Sequence, residues 1–177
     1  MRNSQYAALF KGKAETHGLI RHRDNSPRFA RIIVSIDPLQ RQVDLLEMQE
    51  TLLGRLLKPN HGEQVLVLES LQTQYTDNQG DHYQRRRRGA FFILEQVPKG
   101  QDHWLALDRT EQTGEEILGA ILADYADDVQ VRWPIEAIQS DAVGPLHDGT
   151  WYGTRFDLEF TTPANAALAY RPEAFPS

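Results

Sequence analysis

Residues 151–160 read Trp151-Tyr152-Gly153-Thr154-Arg155-Phe156-Asp157-Leu158-Glu159-Phe160. Successive side chains of an extended chain point to opposite faces. Tyr152, Thr154, Phe156, Leu158 and Phe160 therefore share one side, and Trp151, Arg155, Asp157 and Glu159 the other. This alternation predicts a strand with one face on a core and one in solvent. Such a strand needs partner strands beside it and helices over its apolar side.

Two earlier stretches supply partners. Tyr83 to Val97 is long enough for a strand, its inner part Ala90-Phe91-Phe92-Ile93-Leu94 must be core, and Pro98-Lys99-Gly100 stops it. Glu63-Gln64-Val65-Leu66-Val67-Leu68-Glu69 carries four apolar residues in a row, the mark of a short strand buried on both faces. The polar stretch 76–81 between them reads as a turn, and near neighbours in sequence favour an antiparallel pair.

Helical signals flank these strands. Asp37 can cap a helix and Pro38 fits its first position. Leu39, Val43, Leu46, Leu53 and Leu57 then recur near helical spacing, which predicts a helix over 38–58 with that side buried. Residues 101–125, with Trp104, Leu107, Ile117, Leu118, Ile121, Leu122 and Tyr125, predict a second amphipathic helix, with Thr113-Gly114 as a point of interruption. Residues 4–16 predict a short helix behind Ser4, and Phe29 to Ile36 an extended edge element. Val129–Trp133 and Ile135–Ile138 read as a strand broken by Pro134, and 141–150 as a loop.

The expected architecture is α+β: a mostly antiparallel sheet with two main helices packed on one face, in the order αββαββ, plus an N-terminal helix and a C-terminal arm. Residues 1–161 form one domain in this reading. Residues 162–177, rich in Pro and Ala, form the arm.

Composition narrows the function classes. The chain has 177 residues, no cysteine and a formal net charge of −6. Lack of cysteine removes disulfide frameworks, thiol nucleophiles and Cys-type zinc sites. The charge argues against a general nucleic-acid coat. No run of apolar residues is long enough for a membrane span, and the stretch Tyr6 to Phe10 is too short for a secretory leader. The expectation is a cytoplasmic protein with no membrane partner.

No catalytic constellation is found. His22-Arg23-Asp24 resembles the start of a kinase catalytic loop, but Phe29 occupies the position of the required Asn. His17, His22, His61, His82, His103 and His147 include no pair at ligand spacing on one helix turn. Gly-x-Ser-x-Gly and P-loop spacings are absent. The reading assigns no catalytic residue, no metal and no cofactor, and the chain is taken not to be an enzyme.

Arg85-Arg86-Arg87-Arg88 concentrates positive charge in an acidic chain. In an extended chain Arg85 and Arg87 point one way, Arg86 and Arg88 the other. Three readings stay open: a solvated strand end that blocks edge aggregation, contact with carboxylates of a neighbouring subunit, and contact with phosphates such as DNA in a pore. Trp151, Tyr152, Tyr170 and Phe175 are either core or anchors of an interface.

The order of these elements, with the late strand Trp151 to Phe160, resembles the tail-terminator or tail-completion proteins of tailed phages and prophages. The resemblance covers about residues 38–161. It implies an α+β subunit without catalysis that assembles into a ring, commonly hexameric, within a virion or tail-like particle. Implied partners are copies of itself, other tail or neck proteins, and DNA in the lumen. The resemblance fixes no functional residue; Arg85, Arg86, Arg87, Arg88, Trp151, Tyr170 and Phe175, singled out from the residues themselves, are the candidate interface or lumen contacts. The rival readings are an adaptor that binds a protein or peptide, and a metal-dependent enzyme using His17, His22 or His82.

Overall fold

The computed structural model describes residues 1–57, 59–77, 79 and 82–174. In chain order its elements are α1 (Asn3–Thr16), β1 (Phe29–Ile32), α2 (Pro38–Met48) with a π-helical continuation (Gln49–Leu56), β2 (Gln64–Glu69), β3 (Gln72–Asp77), β4 (Tyr83–Gln96), α3 (Trp104–Asp124), β5 (Gln139–Leu146), β6 (Trp151–Pro163) and α4 (Asn165–Leu168). Single 3₁₀ turns lie at Ile135–Ala137 and Pro172–Ala174. The chain is α+β, and no helix among the described residues is long and apolar enough to cross a membrane.

The sheet runs β1-β2-β4-β6-β5, with β3 also paired to β4. β2 and β3 lie end to end along one edge of β4, Val65 opposite Leu94 and Gln72 opposite Arg88. β6 takes the other edge, Phe156 opposite Phe91 and Glu159 opposite Arg88. All these pairs are antiparallel; β1 alone runs parallel to its neighbour β2. The sheet is therefore mixed.

The two main helices lie on opposite faces, which corrects the expectation of one shared face. Leu66, Leu68, Phe91, Ile93, Phe156, Leu158 and Phe160 form one core with Tyr6 and Phe10 of α1 and Ile117 and Ile121 of α3. Val65, Val67, Phe92, Leu94 and Trp151 form a second with Met48, Leu52, Leu53 and Leu57. The reason is in the strands: β2 is buried at every position, and the middle of β4 is apolar on both sides. Each face needs its own cover.

Two further corrections concern polar strands. Gln72 to Asp77 is a strand, where the sequence suggests only a polar connection, and it pairs residue for residue with Arg88 to Tyr83. β5 falls on Gln139–Leu146, where a loop is expected, and the expected strand before it is reduced to a bridge between Arg132 and Thr161 and a 3₁₀ turn. β5 is an edge strand exposed at most positions, so it carries no apolar alternation to read.

α3 is unbroken at Gly114. A Cβ there would stand 1.9 Å from the Phe156 ring, so Gly114 lets the helix lie directly on β6. α2 starts as its sequence requires, with Asp37 Oδ1 accepting from the amides of Leu39 and Gln40 at 3.0 Å each. The helix turns to π geometry at Gln49, and Lys58, expected near its end, lies outside the described residues. β6 runs past residue 161, and the Ala164 amide donates to Tyr83 O at 2.8 Å while Asn165 Oδ1 accepts from the Tyr83 amide at 2.9 Å. The arm's first residues are thus tied to the start of β4.

Candidate functional site

β4 is extended through the arginine run, so its four side chains divide between the two faces. Arg86 and Arg88 stand on the face covered elsewhere by the π-helical segment. Arg86 Nε donates to Glu159 Oε1, and Arg88 Nε to Glu159 Oε2 at 3.0 Å. Burial pushes the Glu159 carboxyl up, but the hydrogen bonds and charges of these two arginines outweigh that and hold it below the usual carboxylate range. The carboxylate that meets them thus comes from the same chain.

That face continues as a ladder of alternating charge. Glu69, buried, accepts from Arg41 and Arg155, each at 3.3 Å, and Arg155 also pairs with Asp157. The Arg155 guanidinium carbon lies 5.7 Å from the Phe92 ring centroid. Ion pairing rather than apolar cover completes this half of the sheet.

Arg85 and Arg87 stand on the α1 side. Arg85 Nη2 donates to Pro163 O at 3.2 Å. Arg87 is 6% exposed, forms no ion pair with any described residue, and its Nε lacks a hydrogen-bond partner. Burial and then the charge of Arg85 push its pKa down; Tyr75 opposes them, and Arg2 adds a smaller downward push.

The remaining candidates separate. Trp151 is 2% exposed inside the second core, so its ring is not offered to a neighbour. Tyr170 is largely exposed, at 76%. Phe175 lies outside the described residues. The histidines of the metal reading do not converge. His17 Nε2 lies 2.9 Å from Glu116 Oε2, His22 Nδ1 accepts the Arg28 amide at 3.1 Å, and His82 is at the surface before β4. Among the described residues no group of three or more His, Asp or Glu side chains is arranged to hold a metal ion.

Two features depart from the sequence reading, the first absent from it and the second opposed to it. Glu95, 1% exposed, is gripped by Arg109 through both oxygens and accepts from Gln64 Nε2 at 3.2 Å; it lines a cavity of about 510 Å³ with His61, Gln101 and Asp102. The signal for it is faint: an acidic residue ending an apolar strand, with an arginine in the next helix.

The second feature is the surface of α2. Leu39, Val43 and Leu46 are 75%, 46% and 60% exposed, where the periodicity predicts burial. Ile33 and Ile36, just before the helix, are also exposed. The face of α2 turned to the sheet bears Arg41, Leu45 and Met48, so Leu39, Val43 and Leu46 point away from it. The inward turn comes later, at Met48, Leu52, Leu53 and Leu57. On the opposite face of the sheet, Trp104 and Leu105 open α3 with 65% and 59% exposure.

No family model matches this chain, and no curated protein matches its sequence.

Proposed function

We propose that the chain is a non-enzymatic structural subunit that assembles with copies of itself into a ring, of the tail-terminator or tail-completion kind its element order resembles. The observation that carries this reading is the uncovered stripe Leu39, Val43 and Leu46 on α2. Three apolar residues at positions i, i+4 and i+7 form one helical face, and soluble surfaces rarely keep such a face bare without a partner. Burial of each side chain is worth roughly 1.5–3 kcal/mol. Head-to-tail association needs two different surfaces on one subunit. The α2 stripe and the Trp104–Leu105 pair, on opposite faces of the sheet, meet that requirement. In such a ring the charged face bearing Arg86 and Arg88 is already satisfied within the subunit, and contact energy comes from apolar burial.

The test is sedimentation or light scattering of the purified chain over a wide concentration range. Wild type should form a closed species of fixed stoichiometry. Leu39→Glu with Leu46→Glu should remain monomeric with unchanged far-UV circular dichroism. A wild-type chain that stays monomeric at high concentration would overturn the reading.

A further inference from the structure

The two ends of the sheet match. β1 and β5 are its terminal strands in the order β1-β2-β4-β6-β5. β1 runs parallel to β2, and every further step to β5 is antiparallel, so β5 runs opposite to β1. The two strands are also level. Arg31 stands opposite Leu68, Leu68 opposite Phe91, Phe91 opposite Phe156, and Phe156 opposite Ser140. One row thus crosses the whole sheet from Arg31 to Ser140, with its side chains on one face.

Both ends are open. The carbonyls of Arg28 and Ile32 accept from the Leu66 and Ser70 amides at 2.8 and 2.9 Å. In a parallel ladder the residues between them, with Phe29, Arg31 and Ile33, turn alternately, and these three direct amide and carbonyl away from β2. No described residue meets those groups. β5 is paired on its β6 side alone, and Gln139 to Ala142 are all exposed. A free strand edge is a template for another strand. β3 is a third free edge, but it pairs with Tyr83 to Arg88 of β4, whereas β5 is level with Ala90 to Leu94, so β3 shares no row with β5.

The ends carry opposite charge. On the face of the shared row β1 presents Arg31. Beside Ser140 stands Glu111 of α3, whose Oε1 accepts from Ser140 Oγ at 3.4 Å. Arg31 and Glu111 are exposed and form no ion pair with any described residue. Apolar exposure flanks both edges. Ile33, 86% exposed, and Ile36 lead from β1 into α2, and Trp104 lines a cavity with Ala142 and Val143 of β5.

We infer that copies of the chain join edge to edge, β5 of one copy adding antiparallel to β1 of the next, so that one sheet runs through the assembly. This names a contact within the ring proposed above and rests on that reading. The joined edges differ, so the contact is head-to-tail and leaves each copy one edge of either kind. Continuing the rows without a shift sets Arg31 beside Ser140 of the neighbouring copy, within reach of that copy's Glu111. Phe29 then falls beside Ala142, and Ile33 beside Ile138. Pairing of backbones gives the affinity, and the charges disfavour joining β1 to β1 or β5 to β5.

The test exploits the absence of cysteine from the chain. Within one copy Arg31 and Ser140 are four strand spacings apart, about 19 Å, too far for a disulfide. A chain carrying both Arg31→Cys and Ser140→Cys should, on oxidation, give a ladder of disulfide-linked multimers. Mixing the two single variants should give a linked dimer and nothing larger. Ile33→Cys with Ile138→Cys, which keeps Arg31, should link in the same way. Linked dimers from Arg31→Cys alone or Ser140→Cys alone would show like edges meeting and would overturn the contact. Gln74→Cys with Ser140→Cys linking as readily would also overturn it, since β3 would then be the edge in use. Arg31→Glu sets two carboxylates together and should weaken association by about tenfold or more. Adding Glu111→Arg to it should restore association, and failure to do so counts against the contact. Light scattering of wild type separates this contact from the ring itself. Closed oligomers of wild type, with neither cysteine pair linking, would overturn the edge contact and leave the ring standing. A monomeric wild type with no linkage in either pair would overturn both.

Discussion

Gly114 of α3 rests on the ring of Phe156: a Cβ at position 114 would come within 1.9 Å of Phe156 Cε2. The ring cannot swing away, because it is stacked on Phe91 with centroids 5.0 Å apart and planes 8° from parallel. Gly114→Ala therefore forces α3 off the sheet. Overpacking costs about 1–3 kcal/mol, which outweighs the gain of about 1 kcal/mol in helix propensity. Gly119, on the same helix, is exposed and has nothing within 4 Å of a built Cβ. Gly119→Ala should stabilise by about 0.5–1 kcal/mol. Urea midpoints moving in opposite directions for the two variants would establish the close approach.

Arg109→Ala leaves the Glu95 carboxylate buried without a counter-charge, holding only the hydrogen bond from the Gln64 amide. Removing one partner of a buried pair costs about 3–5 kcal/mol. The lower end applies here, since the Arg109 side chain is 46% exposed and water can follow it. Glu95→Leu combined with Arg109→Ala should recover most of that loss. A double-mutant cycle read by chemical denaturation checks the coupling.

Glu159 governs part of the acid limb of stability. Its folded pKa lies below the unfolded value of about 4.3. Its contribution is present above that unfolded value and is lost as pH falls through the folded one. Glu159→Gln should flatten the stability profile below about pH 4 and leave Arg86 and Arg88 without a carboxylate. Unfolding free energies measured from neutral pH down to acid would show a parallel acid limb if the pair contributes nothing.

Asp37→Ala removes the acceptor shared by the Leu39 and Gln40 amides. The loss should be about 1 kcal/mol, with fraying confined to the start of α2. Hydrogen exchange of the first-turn amides is the direct measurement.

What the sequence disclosed follows the range of each signal. Local signals were legible: the alternation of Phe156, Leu158 and Phe160, the Asp37-Pro38 helix start, and the opposed directions of Arg85 and Arg86. Assignments that depend on distant segments were not. Val65 to Leu68 is apolar throughout, so it says that both faces are covered but not which helix covers which. β3 and β5 are polar edge strands whose positions are set by β4 and β6 rather than by their own residues. Leu39, Val43 and Leu46 have a core-like spacing, yet the helix turns its Arg41, Leu45 and Met48 side to the sheet instead. The cover of Phe91 comes from Phe10 of α1, about eighty residues away in sequence.

The position of β6 between β4 and β5 has a consequence during synthesis. This inner strand leaves the ribosome after every other strand of the sheet. Until it docks, the nascent chain carries Phe91 and Ile93 along an open edge, and the cradle for Gly114 does not yet exist. A product truncated before residue 151 would lose the middle of the molecule rather than its margin, and is a substrate for chaperones and proteases.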